Sequence, residues 1–303
     1  MSKILILGST GMLGATVSKY LDQQGLEILE GNRVGVGVLP DSRAIKVDAN
    51  TPENLGSAIQ YEGISYVVNC IGLIKQLISE SDTQSVLQAI KVNSEFPREL
   101  EKLSLEHNFK IIQIATDCVY SGERGAYSED DPHSPIDVYG MTKSLGEVLG
   151  PKVMTLRCSI VGPETTGNNS LLSWFLSQPM NEKLNGFSNH IWNGLTSLHF
   201  SKIVAGIIEG DSFKSGRFHL VPANVESKAK LLELFAQYFL RPDLRTSYIH
   251  APKSVNRTLI TRMPLNNIEL WNMAGYNEPP SIEQMIAELA DWWATLREIP
   301  DES

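Results

Sequence analysis

The sequence predicts an α/β fold, a doubly wound parallel sheet over residues 1–160 followed by a smaller lobe over 161–303 with some segments returning to the sheet. Three observations carry this. Short apolar runs alternate with longer amphipathic ones from residue 3 to about 158, a glycine-rich turn separates the first run from the first amphipathic stretch, and the alternation breaks down beyond residue 160. Strand–helix alternation implies right-handed crossovers and a parallel sheet with helices on both faces. Strands that are apolar throughout suit such a sheet, because it is buried on both sides.

In chain order, the expected strands are ILIL (4–7), LEIL (26–29), AIKV (44–47), YVVNC (66–70), KIIQIA (110–115) and VMTLRC (153–158). Helical spacing marks 12–24, 83–106 and 137–149. The second lobe opens with a Gly/Asn-rich loop (162–170), continues through the apolar segment LLSWFL (171–176), and passes a Gly/Asn/Trp region (185–194). A last helix is expected in SIEQMIAELADWWATLRE: Pro279 and Pro280 precede it, Ser281 caps it and Gln284 can complete a capping box. Its buried stripe is Ile282, Met285, Ile286, Leu289, Trp292 and Trp293, with both tryptophans read as core.

Composition removes several function classes. A net charge of -9 and a pI near 5.2 argue against a protein built to grip nucleic acid. No run approaches the eighteen or so apolar residues of a membrane span, and MSKILILGSTG is too short in its apolar part for a signal peptide, so a cytoplasmic protein is expected. Cys70, Cys118 and Cys158 make no disulfide framework, and no CxxC or HxxxH spacing suggests a metal.

The turn Gly8-Ser-Thr-Gly11-Met-Leu-Gly14 follows the first strand and opens the first helix. Glycines there let the backbone turn tightly and approach a pyrophosphate, with the helix N-terminus facing the negative charge. This context makes the fold Rossmann-type. The GxxGxxG spacing resembles the extended short-chain dehydrogenase/reductase family, which implies an NAD(P)-binding first domain and a substrate-binding second lobe. Thr10, Met12 and Leu13 then join the three glycines as cofactor contacts. NAD-binding members carry an acidic residue at the end of the second strand. Here that point falls on Asn32 and Arg33, with Glu30 two residues earlier and facing elsewhere. Arg33 can pair with a 2′-phosphate through its planar fork, so NADP(H) is favoured over NAD(H). The same resemblance implies that Asp48 and Ala49 contact the adenine and that Cys70, Ile71 and Gly72 pass the cofactor. It also implies that Asn93 belongs to the active-site framework.

Thr116 lies at the carboxyl end of the fifth strand, where open α/β sheets bind ligands. Tyr139 follows 23 residues later, and Lys143 one helical turn after that, on the same helix face. Hydride transfer to a carbonyl leaves an alkoxide that must be protonated. A tyrosine, with an ordinary pKa of about 10, is expected to be drawn down by a nearby ammonium. Tyr139 is therefore the expected proton donor, Lys143 its partner and a ribose contact, and Thr116 the group orienting the carbonyl. None of the cysteines is paired with a histidine by the sequence, so thiolate catalysis is not expected.

ATDCVYSG (115–122) and YGMTKSLGE (139–147), with PIDVYG and LRCSIVGP around them, resemble the patterns of dTDP-4-dehydrorhamnose reductases and their relatives, well over residues 1–165 and loosely beyond. The resemblance implies reduction of a 4-keto-6-deoxy sugar on a nucleoside diphosphate, and a homodimer through the helices at 83–106 and 137–149. Asp117 and Cys118 would then face substrate, Cys118 standing where an aromatic residue is usual; Lys75 and Gln76 lie on the substrate side. Trp192 reads equally as a stacking platform or as core. Two alternatives stay open: an epimerase that recycles its hydride internally, and an NADP-binding regulatory subunit like that of methionine adenosyltransferase. A dehydratase is disfavoured, because it would place an acidic pair directly after Thr116.

Overall fold

Lys3–Leu7 (β1) sits beside Ile64–Asn69 (β4) in the middle of a seven-stranded parallel sheet. The structure, a computed structural model, describes residues 2–40 and 42–297. From β1 the chain winds outward through Ile28–Asn32 (β2) and Ala44–Lys46 (β3). It then returns to β4 and winds the other way through Lys110–Ala115 (β5) and Val153–Arg157 (β6). With Gly216–His219 (β11) from the second half at one edge, the order is β11-β6-β5-β4-β1-β2-β3. Connections from β1 and from β4 leave in opposite directions, so a crevice opens above their carboxyl ends. The doubly wound fold expected from the sequence is observed.

Alternation along β1 feeds two cores. Ile4 and Ile6 face the side covered by Met12–Gln23 (α1) and by helices from the second half; Leu5 and Leu7 face the side covered by Leu55–Glu62 (α2) and Phe96–His107 (α4). The strand expected at 26–29 begins two residues later and runs through Gly31 and Asn32. Gly31 earns that place by close packing: a Cβ there would lie 2.8 Å from Leu7 Cδ2. Glycine and asparagine are weak strand formers, so the pattern hid them.

The helix expected over 83–106 is two helices, Thr83–Ile90 (α3) and α4, joined by a π-helical turn Lys91–Glu95. Pro97 has no amide to give the Asn93 carbonyl four residues before it. That carbonyl lies instead where a Cβ on Gly146 would fall, 1.8 Å away. Gly146 ends Val138–Leu145 (α5), so the bulge and α5 fit closely.

Beyond β6 come Ile160–Val161 (β7), Leu171–Leu176 (α6), Lys183–Phe187 (β8), His190–Trp192 (β9), Leu195–Thr196 (β10) and Ser197–Glu209 (α7). Gly216–His219 (β11) then joins the large sheet beside β6. Glu226–Ser227 (β12), Lys228–Tyr238 (α8), Arg245–Ile249 (β13), Val255–Asn256 (β14), Pro264–Met273 (α9) and Ile282–Arg297 (α10) complete the chain. Small ladders β12-β9-β14 and β13-β8 build the less regular part. Ser281 Oγ accepts the Gln284 amide at 3.1 Å, as expected of a cap. Gln284 Nε2 donates forward to Glu288 Oε1 at 3.0 Å. Trp292 and Trp293 are half-buried at the edge of the stripe, with Trp292 donating to Gln23 at 2.7 Å.

Candidate active site

The crevice above β1 and β4 holds a cleft lined by Gly8, Thr10, Gly11, Asn32, Arg33, Asp48, Ala49, Cys70, Ile71 and Gly72, all expected from the sequence. Val47, Asn50, Leu73, Leu77, Gln88 and Val92 also line it and were not foreseen. Gly8 has φ +78, and a Cβ on it would meet the Cys70 and Ile71 backbone at 3.1 Å. Gly14 serves packing rather than ligand contact, since its Cβ would lie 2.1 Å from the Gly8 carbonyl. Leu13 is likewise turned into the core. At the head of α1, the N-cap Gly11 offers no side-chain acceptor to the first-turn amides. Free amides at a helix N-terminus fit an anion such as a pyrophosphate.

Asn32 is buried and fully engaged. Its Nδ2 donates to Ser9 Oγ (2.9 Å) and the Val36 carbonyl (2.8 Å), and its Oδ1 accepts the Val34 and Gly35 amides. This side chain shapes the loop that presents the exposed Arg33. Glu30 is turned away, as expected: it accepts from Val38 N and Ser42 Oγ. The Asp48 carboxyl is held below its usual range, first by the Asn50 amide and then by the Asn50 side chain and the Arg33 and Lys46 charges. Gln88 donates to Asn50 at 3.0 Å and so extends this wall onto α3. A polar residue two positions past Asp48, forming an Asx turn, was the available signal for Asn50.

At the other end of the cleft, Thr116 caps a 3-10 turn, Asp117–Val119, accepting the Cys118 amide at 3.2 Å. Asp137 caps α5 by accepting the Gly140 amide at 2.7 Å, and Tyr139 lies two residues into that helix. Thr116 Oγ1 donates to Asp117 Oδ1 at 3.3 Å, and the same hydroxyl is near enough to the Tyr139 phenol to act on its titration. Lys143 is buried, donates to the Ile114 carbonyl at 3.3 Å, and its Nζ lies 3.9 Å from where a Cβ on Gly72 would be. Asn93 brackets the same wall: it exchanges two hydrogen bonds with Leu73 and donates to Thr142 Oγ1 at 3.1 Å. Thr116, Tyr139, Lys143 and Asn93 thus meet at one end of the cleft.

The titration of these groups corrects one expectation. Burial pushes the Tyr139 phenol up, as do Cys118, Asp117 and Asp137, while the Thr116 hydroxyl opposes them. The expected lowering by Lys143 does not prevail, because desolvation dominates and the ammonium points to Ile114. Burial lowers the lysine itself, with Glu147 and Cys70 opposing. Asp117 is raised by burial, against Arg257 and Lys228, two cations that the sequence reading missed.

Trp192 is core. It is buried and donates to Ser159 Oγ at 2.8 Å, so it is no stacking platform. Lys75 is engaged with Asp137 at 2.8 Å, and Gln76 is exposed on the same 3-10 turn. Met12 lies against Gly162, away from the cleft. Among the described residues no cluster of three or more His, Cys, Asp or Glu could hold a metal, and no helix is long and apolar enough to cross a membrane.

Residues 2–245 match the family described as the RmlD substrate binding domain. The chain belongs to that family. The RmlD match runs past residue 165, where the motif resemblance had thinned, and takes in most of the second half. Relatives include the dTDP-4-dehydrorhamnose reductase of Streptomyces griseus, 31% identical over 144 residues, covering 47% of this chain and 43% of that protein. That of Aggregatibacter actinomycetemcomitans is 27% identical over 228 residues, covering 72% and 73%. The chain therefore matches less than half the length of the first and about three quarters of the second. Among solved structures, the Bacillus anthracis dTDP-4-dehydrorhamnose reductase in complex with NADP superposes with a TM-score of 0.76 at 17% identity, covering 95% of this chain and 98% of that one. This likeness establishes the RmlD-type fold.

Proposed function

We propose that the chain is an NAD(P)H-dependent oxidoreductase that reduces the 4-keto group of a nucleotide-linked 4-keto-6-deoxy sugar, with NADPH preferred. The observation that carries this reading is the nearness of Thr116 and Tyr139 beside a glycine-walled cleft that Lys143 and Asn93 border at Gly72 and Leu73. The relatives named as dTDP-4-dehydrorhamnose reductases supply the substrate class. The structures named with NADP or NAD support the cofactor.

A nicotinamide cofactor bound in the cleft supplies the hydride. The residues of the chain do the rest. Thr116 donates a hydrogen bond to the substrate carbonyl and fixes its direction. Tyr139, kept protonated by burial, gives its proton to the oxygen as negative charge develops there. Lys143 places a positive charge beside the Gly72 backbone, where it steadies the ribose side of the cofactor and the alkoxide. Arg33 would hold the 2′-phosphate of that cofactor, and the α1 amides its pyrophosphate.

The test is NADPH oxidation by the purified protein against dTDP-, UDP- and GDP-4-keto-6-deoxyhexoses, with Tyr139→Phe alongside. Turnover on one sugar that the variant loses is the expected result. Sugar inversion without net NADPH consumption would replace the reading with an internally recycling epimerase. Tight NADPH binding with no chemistry on any sugar would favour a regulatory subunit.

A further inference from the structure

The segment from Ile71 to Glu80 has two jobs in the fold. Ile71, Gly72, Leu73 and Leu77 form one wall of the cofactor cleft. The same segment grips the start of α5 at three points. Lys75 Nζ lies 2.8 Å from Asp137 Oδ2, while the other oxygen of that carboxylate caps the helix. Glu80 Oε1 accepts the Val138 amide at 3.0 Å. Leu73 is tied through Asn93 to Thr142. Tyr139 sits between the first two anchors and the third.

We propose that Lys75 is a positioning residue: its ion pair with Asp137 fixes the first turn of α5, and with it the Tyr139 hydroxyl, against the wall of the cofactor cleft. This rests on the reading of Tyr139 as proton donor. The lysine side chain is 62% exposed and the aspartate 9%, so the pair contributes little to stability. Its effect is geometric. A displacement of an ångström at the donor costs one to two orders of magnitude in rate without changing how tightly the cofactor binds. The exposed Lys75 is the moving half and the capping Asp137 the fixed half.

Lys75→Met and Asp137→Asn break the ion pair in different ways, since asparagine remains a good N-cap and keeps the acceptor for Gly140. Both variants should keep their melting temperature and their NADPH affinity by fluorescence titration within about twofold. Both should lose roughly tenfold to a hundredfold in kcat with sugar KM little changed, and Lys75→Arg should recover most of it. Hydrogen exchange needs no substrate: amides 138–141 should exchange several-fold faster in both variants, and α1 should not. A raised sugar KM with unchanged kcat and exchange would overturn the proposal and make Lys75 a substrate contact. Unchanged exchange with unchanged kinetics would overturn it as well. Faster exchange together with a fully active Tyr139→Phe variant would support the latch and remove the acid role of Tyr139, so the two failures are distinguishable.

Discussion

Arg157 and Glu147 meet in the interior, Arg157 Nε donating to Glu147 Oε1 at 2.9 Å with neither side chain appreciably exposed. Around them, Arg157 Nη1 donates to Tyr120 OH at 2.6 Å and to His219 at 2.8 Å. Its Nη2 donates to His133 at 2.7 Å. Arg217 of β11 adds a second cation 2.8 Å from Glu147. The network joins the ends of β6 and α5 to β11, just behind the turn that carries Thr116.

Removing the carboxylate leaves two arginines uncompensated, one of them fully buried. Glu147→Ala should therefore destabilise the fold by about 3–5 kcal/mol, read from urea unfolding. Breaking the exposed pair of Arg262 and Asp130, 3.7 Å apart, should cost about 0–1 kcal/mol in the same experiment. Equal losses would mean that the interior pair is not the fastening described here.

Acid should loosen the same network. Burial lowers His219 to about 4, helped by Arg157 and opposed by Glu129, and burial also lowers His133. Both are neutral when folded, while an unfolded histidine titrates near 6.5. The unfolded chain thus binds more protons below that pH. The contribution is fully present above about 6.5 and is lost as pH falls toward about 4. Urea midpoints measured across that window should fall with pH, and His219→Gln should flatten the slope.

Arg33→Ala should weaken NADPH binding by roughly tenfold to a hundredfold and leave NADH nearly unchanged, since only one of them carries the 2′-phosphate. Fluorescence titration with both cofactors checks this. Equal losses would point to damage in the loop that Asn32 organises.

The thiols should be inert. Burial pushes Cys70 and Cys118 up to about 12 and Cys158 higher still. Disulfide exchange with Ellman's reagent at pH 8 should run about a hundredfold or more slower in the native protein than in urea. Rapid labelling of any one of them would revive a role for it in the cleft.

The sheet was legible because the strands of the first half are built on apolar runs bounded by polar loops, and Gly8 through Gly14 announce the crevice by their place between the first strand and the first helix. Thr116, Tyr139 and Lys143 could be read because each lies at a predictable end of a strand or on one helix face. Partnerships made across the fold were not legible. Lys75 and Asp137 stand 62 residues apart in the chain, and nothing local marks them as a pair. Trp192 read equally as platform or core, and only its bond to Ser159 across the fold decides for core. Asn32 was expected at the cofactor cleft and lines it, but its bonds to Ser9 and to the backbone of its own loop could not be read from the sequence. The π turn at Asn93 left no trace, because Val92 and Phe96 keep the apolar spacing through it.

The strand β11 enters the sheet only after the chain has built α6, α7 and the pairing of β10 with β7, and it carries Arg217 and His219 into the network around Arg157. The two halves are therefore interlaced, and neither is a cassette. A fragment ending near residue 160 would expose the edge of β6 and leave Arg157 without part of its setting. Grafting a foreign specificity region after β6 would have to bring its own equivalent of Gly216–His219. In such a chain, new substrate preference has to arise by substitution within the second half, because exchange of the whole segment would remove a plank from the floor on which the cofactor cleft stands.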